Sequence, residues 1–307
     1  MYTNDDLRIM QAWPLERKVQ VTQTRIIEWY QHFDGNIYVS FSGGKDSTVL
    51  LDLTRRIYPE IPAVYIDTGL EYPEIKQFVK SQTDVTILRP KLRFDEVIDK
   101  YGYPVVSKEQ ASYIEEYRNT KSDKLRNIRL NGNAWGMGKI SNKWLYLIDA
   151  PFKISDRCCD IMKKLPAKTY EKSTGRHPLI ATMAEESKQR ESNWKRYGCN
   201  AFDKTRPTSQ PMSFWTEQDV LQYLKATGTQ YSTVYGQIRE RERELYTTGC
   251  SRTGCIFCMF GIHLDAYPNR FQSLKLTHPV QYEYCMKDID EGGLGISKVL
   301  DYLKIEH

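Results

Sequence analysis

Asn36-Ile-Tyr-Val-Ser-Phe-Ser-Gly-Gly-Lys-Asp-Ser-Thr48 is the stretch whose reading decides the fold. Up to Phe41 it is β-branched and aromatic, the composition of a buried strand. It stops abruptly at Ser42-Gly43-Gly44, and Val49, Leu50, Leu53 and Ile57 then recur at helical spacing. A strand that turns through two glycines into a helix gathers free backbone N–H groups and the positive end of the helix dipole at one point. That arrangement suits an anion. Ser42, Ser47 and Thr48 add hydroxyls there, and Lys45 adds a positive charge. The spacing is not that of a Walker A loop, which has four residues between its first glycine and Gly-Lys. The plainer alternative is a tight turn closed by Ser47.

Working outward, Pro62-Ala-Val-Tyr-Ile66 reads as a second strand, closed by Asp67-Thr68-Gly69. A helix follows over about 73–80, with Pro73 at an early position where its missing N–H does no harm. Val85-Thr-Ile-Leu88 is the third strand. Strands alternating with helices at this spacing predict an α/β fold, a doubly wound parallel sheet with right-handed crossovers. Residues 1–35 read as helical, with Ile26, Ile27, Trp29 and Tyr30 as an apolar face. Residues 107–145 break the rhythm: Arg118, Lys121, Lys124, Arg126 and Arg129 make them basic, and 131–138 is loop-like. They read as an insertion or lid beside the sheet. A helix over 154–172, a strand over 178–183 and a helical stretch over 185–195 follow. Thr216-Glu-Gln-Asp219 carries a capping-box pattern, and short helices near 269–287 and 296–304 finish the chain. The expected organisation is a helical segment (1–35), an adenine-nucleotide-type α/β domain (36–230) and a cysteine-rich helical region (231–307).

Apolar residues make up 40% of the 307 and charged residues 27%, which fits a globular protein with a sizeable core. The net charge of +5 suits an anionic ligand, yet no base-reading module is recognisable. No apolar run approaches the roughly 18 residues of a membrane span, and the polar start lacks a signal-peptide core, so a cytoplasmic protein is expected. In that reducing setting seven cysteines point to metal or redox chemistry rather than disulfides.

Cys250-Ser-Arg-Thr-Gly-Cys255-Ile-Phe-Cys258 sets three thiols close together with a glycine for the turn, a pattern able to wrap a metal centre. Thiolates favour iron–sulfur or zinc sites. Adjacent Cys158-Cys159 rarely bridge each other, but both meet a cluster if a helix begins there. Cys199 and Cys285 read as core thiols.

Ser42-Gly-Gly-Lys-Asp-Ser47 resembles the pyrophosphatase loop of the adenine nucleotide α-hydrolases, and Asp67-Thr-Gly-Leu-Glu-Tyr-Pro73 resembles the reductase branch, the phosphoadenosine phosphosulfate (PAPS) reductase family. The resemblance implies attack at the α-phosphorus of ATP or a related adenine nucleotide, with pyrophosphate leaving and Mg²⁺ commonly present. It implies nucleotide contacts from Ser40, Phe41, Ser42, Gly43, Gly44, Lys45, Asp46 and Ser47, and from Asp67, Thr68 and Gly69 near the adenosine. Glu186, Ser187 and Arg190 match a Glu/Asp-x-Ser-x-x-Arg segment whose arginine faces the anion, so Lys45, Asp46 and Arg190 are the catalytic candidates. Asp46 reads as a helix cap ahead of a metal ligand. Adenylylsulfate reductases carry a Cys-Cys pair and a distant Cys-x-x-Cys that hold a [4Fe-4S] cluster; Cys158-Cys159 and Cys255, Cys258 look similar, with Cys250 a fifth candidate. A DNA phosphorothioation sulfurtransferase is similar in another way, grouping its ligands late, which draws in Cys250. Zinc is the alternative metal.

Sulfonucleotide reductases end in a Glu-Cys-Gly-Leu-His-type tail, and no cysteine follows Cys285 here. The first expectation is therefore a cluster-containing sulfur-transfer enzyme that activates an acceptor with ATP. The acceptor is a tRNA, a DNA or a small molecule, and a protein supplies sulfur or electrons. A sulfonucleotide reductase, a nucleotide sensor with a structural metal site and an ATP sulfurylase subunit are the alternatives.

Overall fold

The computed structural model describes residues 2–307. In chain order the helices are α1 (Asn4–Gln11), α2 (Leu15–His32), α3 (Lys45–Arg55), α4 (Pro73–Ser81), α5 (Phe94–Tyr101), α6 (Lys108–Asn119), α7 (Asp123–Asn131), α8 (Leu165–Thr174), α9 (Lys188–Tyr197), α10 (Glu217–Thr227), α11 (Arg270–Thr277), α12 (Pro279–Met286) and α13 (Ile296–Tyr302). The strands are β1 (Ile37–Ser40), β2 (Ala63–Ile66), β3 (Val85–Leu88), β4 (Val105–Val106), β5 (His177–Ile180), β6 (Asn200–Ala201), β7 (Thr208–Ser209), β8 (Ile238–Arg241), β9 (Glu244–Thr247) and β10 (Met259–Phe260). They form two compact units, each assembled from separate stretches of chain. The first comprises the described residues up to Asp67, with Glu71–Arg89 and Ala167–Thr253; the second comprises Thr68–Leu70, Pro90–Pro166 and Gly254–His307.

The first unit is built on a six-stranded sheet in the order β3-β2-β1-β5-β7-β6. All pairs are parallel except β6 with β7. β1 sits in the middle, with Ile37, Tyr38 and Val39 all buried. Parallel strands covered on both faces read as continuous apolar runs, which is why this strand was legible. The three expected strands over 36–88 and the helices between them stand where the periodicity places them. The chain moves from β1 to β2 to β3 in one direction and returns to β5 on the other side of β1. The strand order therefore reverses between β1 and β5, the kind of point where sheets of this class leave a crevice at their carboxyl ends.

Helix α2 packs Ile26 and Trp29 into this core and anchors it with Lys18. The Lys18 ammonium lies 2.5 Å from Asp219 and donates to the Gln11 carbonyl at 2.7 Å. Asp219 in turn completes the expected capping box of α10, accepting from the Thr216 backbone at 2.7 Å. One buried carboxylate thus ties helices from opposite ends of the unit, and its charge is offset by three donors. The β8–β9 hairpin was not anticipated: the run from Arg239 to Glu244 is charged, and Glu242 and Arg243 at its tip adopt positive φ without a glycine.

The second unit has its own core, including Phe94, Val97, Ile98, Ile114, Leu147, Phe271, Leu274 and Leu300. A short parallel pair, β4 with β10, runs through it. The basic stretch expected as an insertion or lid is largely helical, as α6 and α7, and the loop-like reading holds after Asn131, over 132–138. Its arginines hold the unit together. Arg118 donates to the carbonyls of Leu147, Ile148, Ala150 and Phe152 at 2.7–2.9 Å, and Arg129 pairs with Glu116. The helix expected from 154 begins only at Cys158, because Ile154 forms a β-bridge with Tyr103. It passes through a π turn, Asp160–Lys164, before α8. Pro166, with no N–H, cannot bond back to Met162, which loosens the α ladder at that point. No described helix is long and apolar enough to cross a membrane.

Candidate functional site

The loop after β1 is held open by its own side chains. Gly43 has φ +73°, and a Cβ there would stand 2.8 Å from Val79 and 2.9 Å from Ile75 of α4. Only glycine meets both demands. Ser47 Oγ donates to the Gly44 carbonyl at 2.9 Å and accepts from the Ser42 backbone at 3.2 Å; the Ser42 and Ser47 hydroxyls are 3.0 Å apart. The expectation of a turn closed by Ser47 and that of an anion loop describe the same geometry. Gly44 is the N-cap of α3, and Asp46, expected to cap this helix, makes no cap bond; the Gly44 N–H donates to Ser42 Oγ at 3.3 Å.

Lys45 is 4% exposed. Its Nζ donates to the Ser251 carbonyl at 2.9 Å and lies 3.2 Å from Glu217 and 3.8 Å from Asp46. Its backbone N–H donates to the Tyr235 hydroxyl at 3.2 Å, and that hydroxyl lies 2.5 Å from Thr253 Oγ1. Burial pushes the Tyr235 phenol up to about 12. Asp46 Oδ1 is buried with no hydrogen-bond partner among the described residues, and burial raises its carboxyl above the usual range although Lys45 pulls it down. Thr182 Oγ1, just beyond β5, is also buried without a partner. Buried orphan polar atoms are rare in folded proteins.

The Ala184–Glu186 turn and α9 bring the second motif to the same place. Glu186 accepts from the Met183 backbone at 2.9 Å, pairs with Arg190, and lies 3.2 Å from Arg252. Ser187 caps α9 by accepting from the Arg190 backbone. Arg190 and Arg252 both act electrostatically on Asp46, as does Glu217. Burial lowers the Arg190 guanidinium, and the neighbouring Arg252 lowers it further. Ser40 and Phe41 end β1, with Phe41 buried in the core. Asp67 follows β2 on the neighbouring strand and pairs with Lys76 at 3.2 Å. Thr68 and Gly69 belong to the second unit, where Thr68 Oγ1 accepts from the Leu70 backbone at 3.2 Å.

The cysteines divide. Cys158, Cys159, Cys255 and Cys258 lie in the second unit, and Cys250 in the first. The Cys158 and Cys159 sulfurs are 4.0 Å apart at the start of the helix, and Cys258 N–H donates to the Cys255 carbonyl in a tight turn. Cys158 feels Cys159, Cys258 and Cys255, and its thiol is pushed far up by the hydrogen bond to Cys159 and by burial. The Cys159 thiol is lowered to about 6 by the hydrogen bond from Cys158 and by Lys108 and Lys163, against burial. Cys250 instead meets Tyr72 and feels Glu74. No three His, Cys, Asp or Glu side chains among the described residues are close enough to hold a single ion. Four thiols on two neighbouring turns still suit a cluster, because each then binds its own iron and the sulfurs stand further apart than around one ion. Cys199 and Cys285 are buried; burial pushes the first up to about 11 and the second higher.

The family model described as a phosphoadenosine phosphosulfate reductase domain matches residues 36–139 and 115–260 of the 307. The chain belongs to the phosphoadenosine phosphosulfate reductase family. The adenosine 5'-phosphosulfate reductase of Staphylococcus epidermidis is 31% identical over 84 residues, 25% of this chain and 35% of that protein. The phosphoadenosine 5'-phosphosulfate reductase of Serratia proteamaculans is 39% identical over 59 residues, 19% of this chain and 24% of that one. A longer match, 23% identical over 233 residues, covers 75% of this chain and 37% of an uncharacterized protein of Methanocaldococcus jannaschii. This chain thus spans well under half the length of these curated relatives. Among solved structures, the phosphoadenylyl-sulfate reductase of Candida auris has a TM-score of 0.41 at 14% identity, covering 80% of this chain and 98% of that one. The U34-tRNA thiolase of Methanococcus maripaludis, solved with its [4Fe-4S] cluster, has a TM-score of 0.37 at 14% identity, covering 95% and 82%.

Arg252, Thr253, Tyr235, Glu217 and Glu185 stand around the loop of this family member and were not singled out from sequence. Glu185 accepts from the Glu217 backbone at 2.6 Å, and burial raises its carboxyl. The available signal was Arg252-Thr253 between the late cysteines, a basic residue and a hydroxyl in a glycine-containing turn.

Proposed function

We propose that this member of the phosphoadenosine phosphosulfate reductase family binds ATP or a related adenine nucleotide on the Ser42–Ser47 loop and catalyses substitution at its α-phosphorus as a step of sulfur transfer. The observation that carries the reading is the convergence on Asp46, whose Oδ1 is buried without a hydrogen-bond partner among the described residues, of buried Lys45 and of Arg190 with Arg252. The amides of the loop and the Lys45 ammonium hold the terminal phosphates. Arg190 and Arg252 face the charge that grows on the leaving pyrophosphate. An acceptor nucleophile bonds to the α-phosphorus as the bond to the bridging oxygen breaks, and the pyrophosphate takes that electron pair. Asp46, whose Oδ1 has no hydrogen-bond partner among the described residues, would hold Mg²⁺, which would offset the repulsion between the carboxylate and the phosphates. Asp67, Thr68 and Gly69 are assigned to the adenosine end.

Cys158, Cys159, Cys255 and Cys258 are assigned to a [4Fe-4S] cluster, and Cys250 is left out of it. When bound, the cluster supplies iron–sulfur chemistry for handling sulfur or electrons. Lys108 and Lys163 favour the thiolate of Cys159 beside it. The acceptor is a nucleic acid or a small molecule, with a protein as sulfur or electron donor.

The test is pyrophosphate release from ATP, followed with candidate acceptors for wild type and Lys45→Met. Release is expected for wild type. ATP binding should be about 10- to 100-fold weaker in the variant, the loss of a charged hydrogen bond. Sulfite release from adenosine 5'-phosphosulfate with a thiol reductant, without pyrophosphate release, would replace this reading with a reductase. Tight ATP binding with neither product would leave a sensor.

A further inference from the structure

The turn that carries Cys255 and Cys258 runs directly into β10. Within it the Cys258 N–H donates to the Cys255 carbonyl at 3.0 Å. Just beyond it the Gly261 N–H donates to the Val106 carbonyl at 2.7 Å, where β10 lies beside β4.

Arg270, at the start of α11, takes up the carbonyls on either side of Met259. Its Nη1 donates to Cys258 at 3.0 Å and to Phe260 at 3.1 Å. The rest of the guanidinium faces Asp265. Nε and Nη2 donate to the two carboxylate oxygens at 2.7 Å each, and the Arg270 backbone N–H donates to the same carboxylate at 3.2 Å. These bonds hold the Asp265 carboxyl below the usual carboxylate range, against burial. The arginine starts from a fixed backbone, because Asn269 caps α11 and Phe271 and Leu274 are buried. A guanidinium serves two carbonyls and a carboxylate at once because its donors fan out in one plane; an ammonium does not.

The Arg270 charge also reaches sulfur. Burial pushes the Cys258 thiol up, while the Phe260 N–H and Arg270 pull it down. Groups that orient a metal ligand set how tightly the metal is held, and charges and hydrogen bonds around the sulfurs set the reduction potential of an iron–sulfur centre.

We propose that Arg270 is a positioning residue for the cluster site: it clamps the Cys255–Cys258 turn, and its balance with Asp265 sets the reduction potential of the bound cluster. The proposal rests on the assignment of Cys158, Cys159, Cys255 and Cys258 to a [4Fe-4S] cluster. An ion pair that merely stapled the loop between Cys258 and Arg270 would change stability and leave the potential alone.

Anaerobically purified wild type, Arg270→Lys, Arg270→Gln and Asp265→Asn test it. Iron and sulfide content, the rate of iron loss to an external chelator, and the midpoint potential from a redox titration followed by electron paramagnetic resonance are measured. Both Arg270 variants should lose iron about tenfold faster than wild type. Arg270→Gln removes a cation and leaves Asp265 uncompensated, so its potential should shift negative, because the reduced cluster holds one more electron. Asp265→Asn removes the opposing anion and should shift the potential positive. Arg270→Lys keeps the charge, so its potential should lie closer to wild type than that of Arg270→Gln. Opposite shifts mark an effect of charge, since a loosened loop would move both variants the same way. Wild-type rates of iron loss in both Arg270 variants would overturn the clamp. Potentials that stay fixed, or that shift in the same direction in Arg270→Gln and Asp265→Asn, would overturn the electrostatic role. If Arg270→Gln shows no melting transition, Arg270→Lys and Asp265→Asn still carry both readouts. A wild type without iron would overturn the cluster assignment itself; a wild type with the cluster and three unaltered variants would overturn this proposal alone.

Discussion

Asp46 shows how one residue can be unfavourable for stability and still belong to its site. Burial raises its carboxyl above the usual value, and Oδ1 has no hydrogen-bond partner among the described residues. A carboxyl raised on folding is protonated in both states in strong acid. As pH rises, the unfolded chain ionises first, and stability is lost until the folded carboxyl ionises too. Asp46→Asn is therefore expected to melt higher than wild type at neutral pH, with the gain shrinking toward the ordinary Asp range. Thermal melts from about pH 4 to pH 8 check it; a constant offset across that range would contradict it. At this scale the loop was legible, because Ser42-Gly-Gly-Lys-Asp-Ser47 states its chemistry in consecutive letters. Tyr235, Arg252 and Thr253 were not, because they lie 190 to 208 residues from Lys45 in the chain, and no local pattern encodes that approach.

Elements were readable where local pattern and tertiary packing agree. β1 and β2 are apolar runs buried in a parallel sheet, β3 is an apolar run at its exposed edge, and α10 announces itself through Thr216 and Asp219. Helices α6 and α7 were hidden by their arginines: Arg118 reads as a surface charge but serves four backbone carbonyls. The β8–β9 hairpin carries neither apolar alternation nor a glycine turn. Helix α2 illustrates the same limit, since Lys18 reads as solvated and is buried against Asp219. Lys18→Met is expected to lower stability by about 3 kcal/mol, because it leaves a buried carboxylate without its counter-charge. Denaturant unfolding measures this, and a loss below about 1 kcal/mol would show that the Thr216 donors suffice.

For the whole molecule, topology converts a local motif into a site. The loop lies where the strand order turns from β1 toward β5, so Lys45 from one crossover and Arg190 from the other both act electrostatically on Asp46. The parallel fold was legible from its first fifty residues of alternation, but the two units draw on segments far apart in sequence. That interleaving separates Cys250 from Cys255 although only four residues lie between them. Sequence spacing groups those two cysteines, and the fold assigns them to different units. The most direct test of the account is the iron and sulfide content, with zinc, of anaerobically purified wild type, Cys250→Ser and Cys255→Ser. About four irons and four sulfides per chain are expected in wild type and in Cys250→Ser, and their loss in Cys255→Ser. Zinc in their place, or a cluster lost from Cys250→Ser and kept in Cys255→Ser, would contradict it.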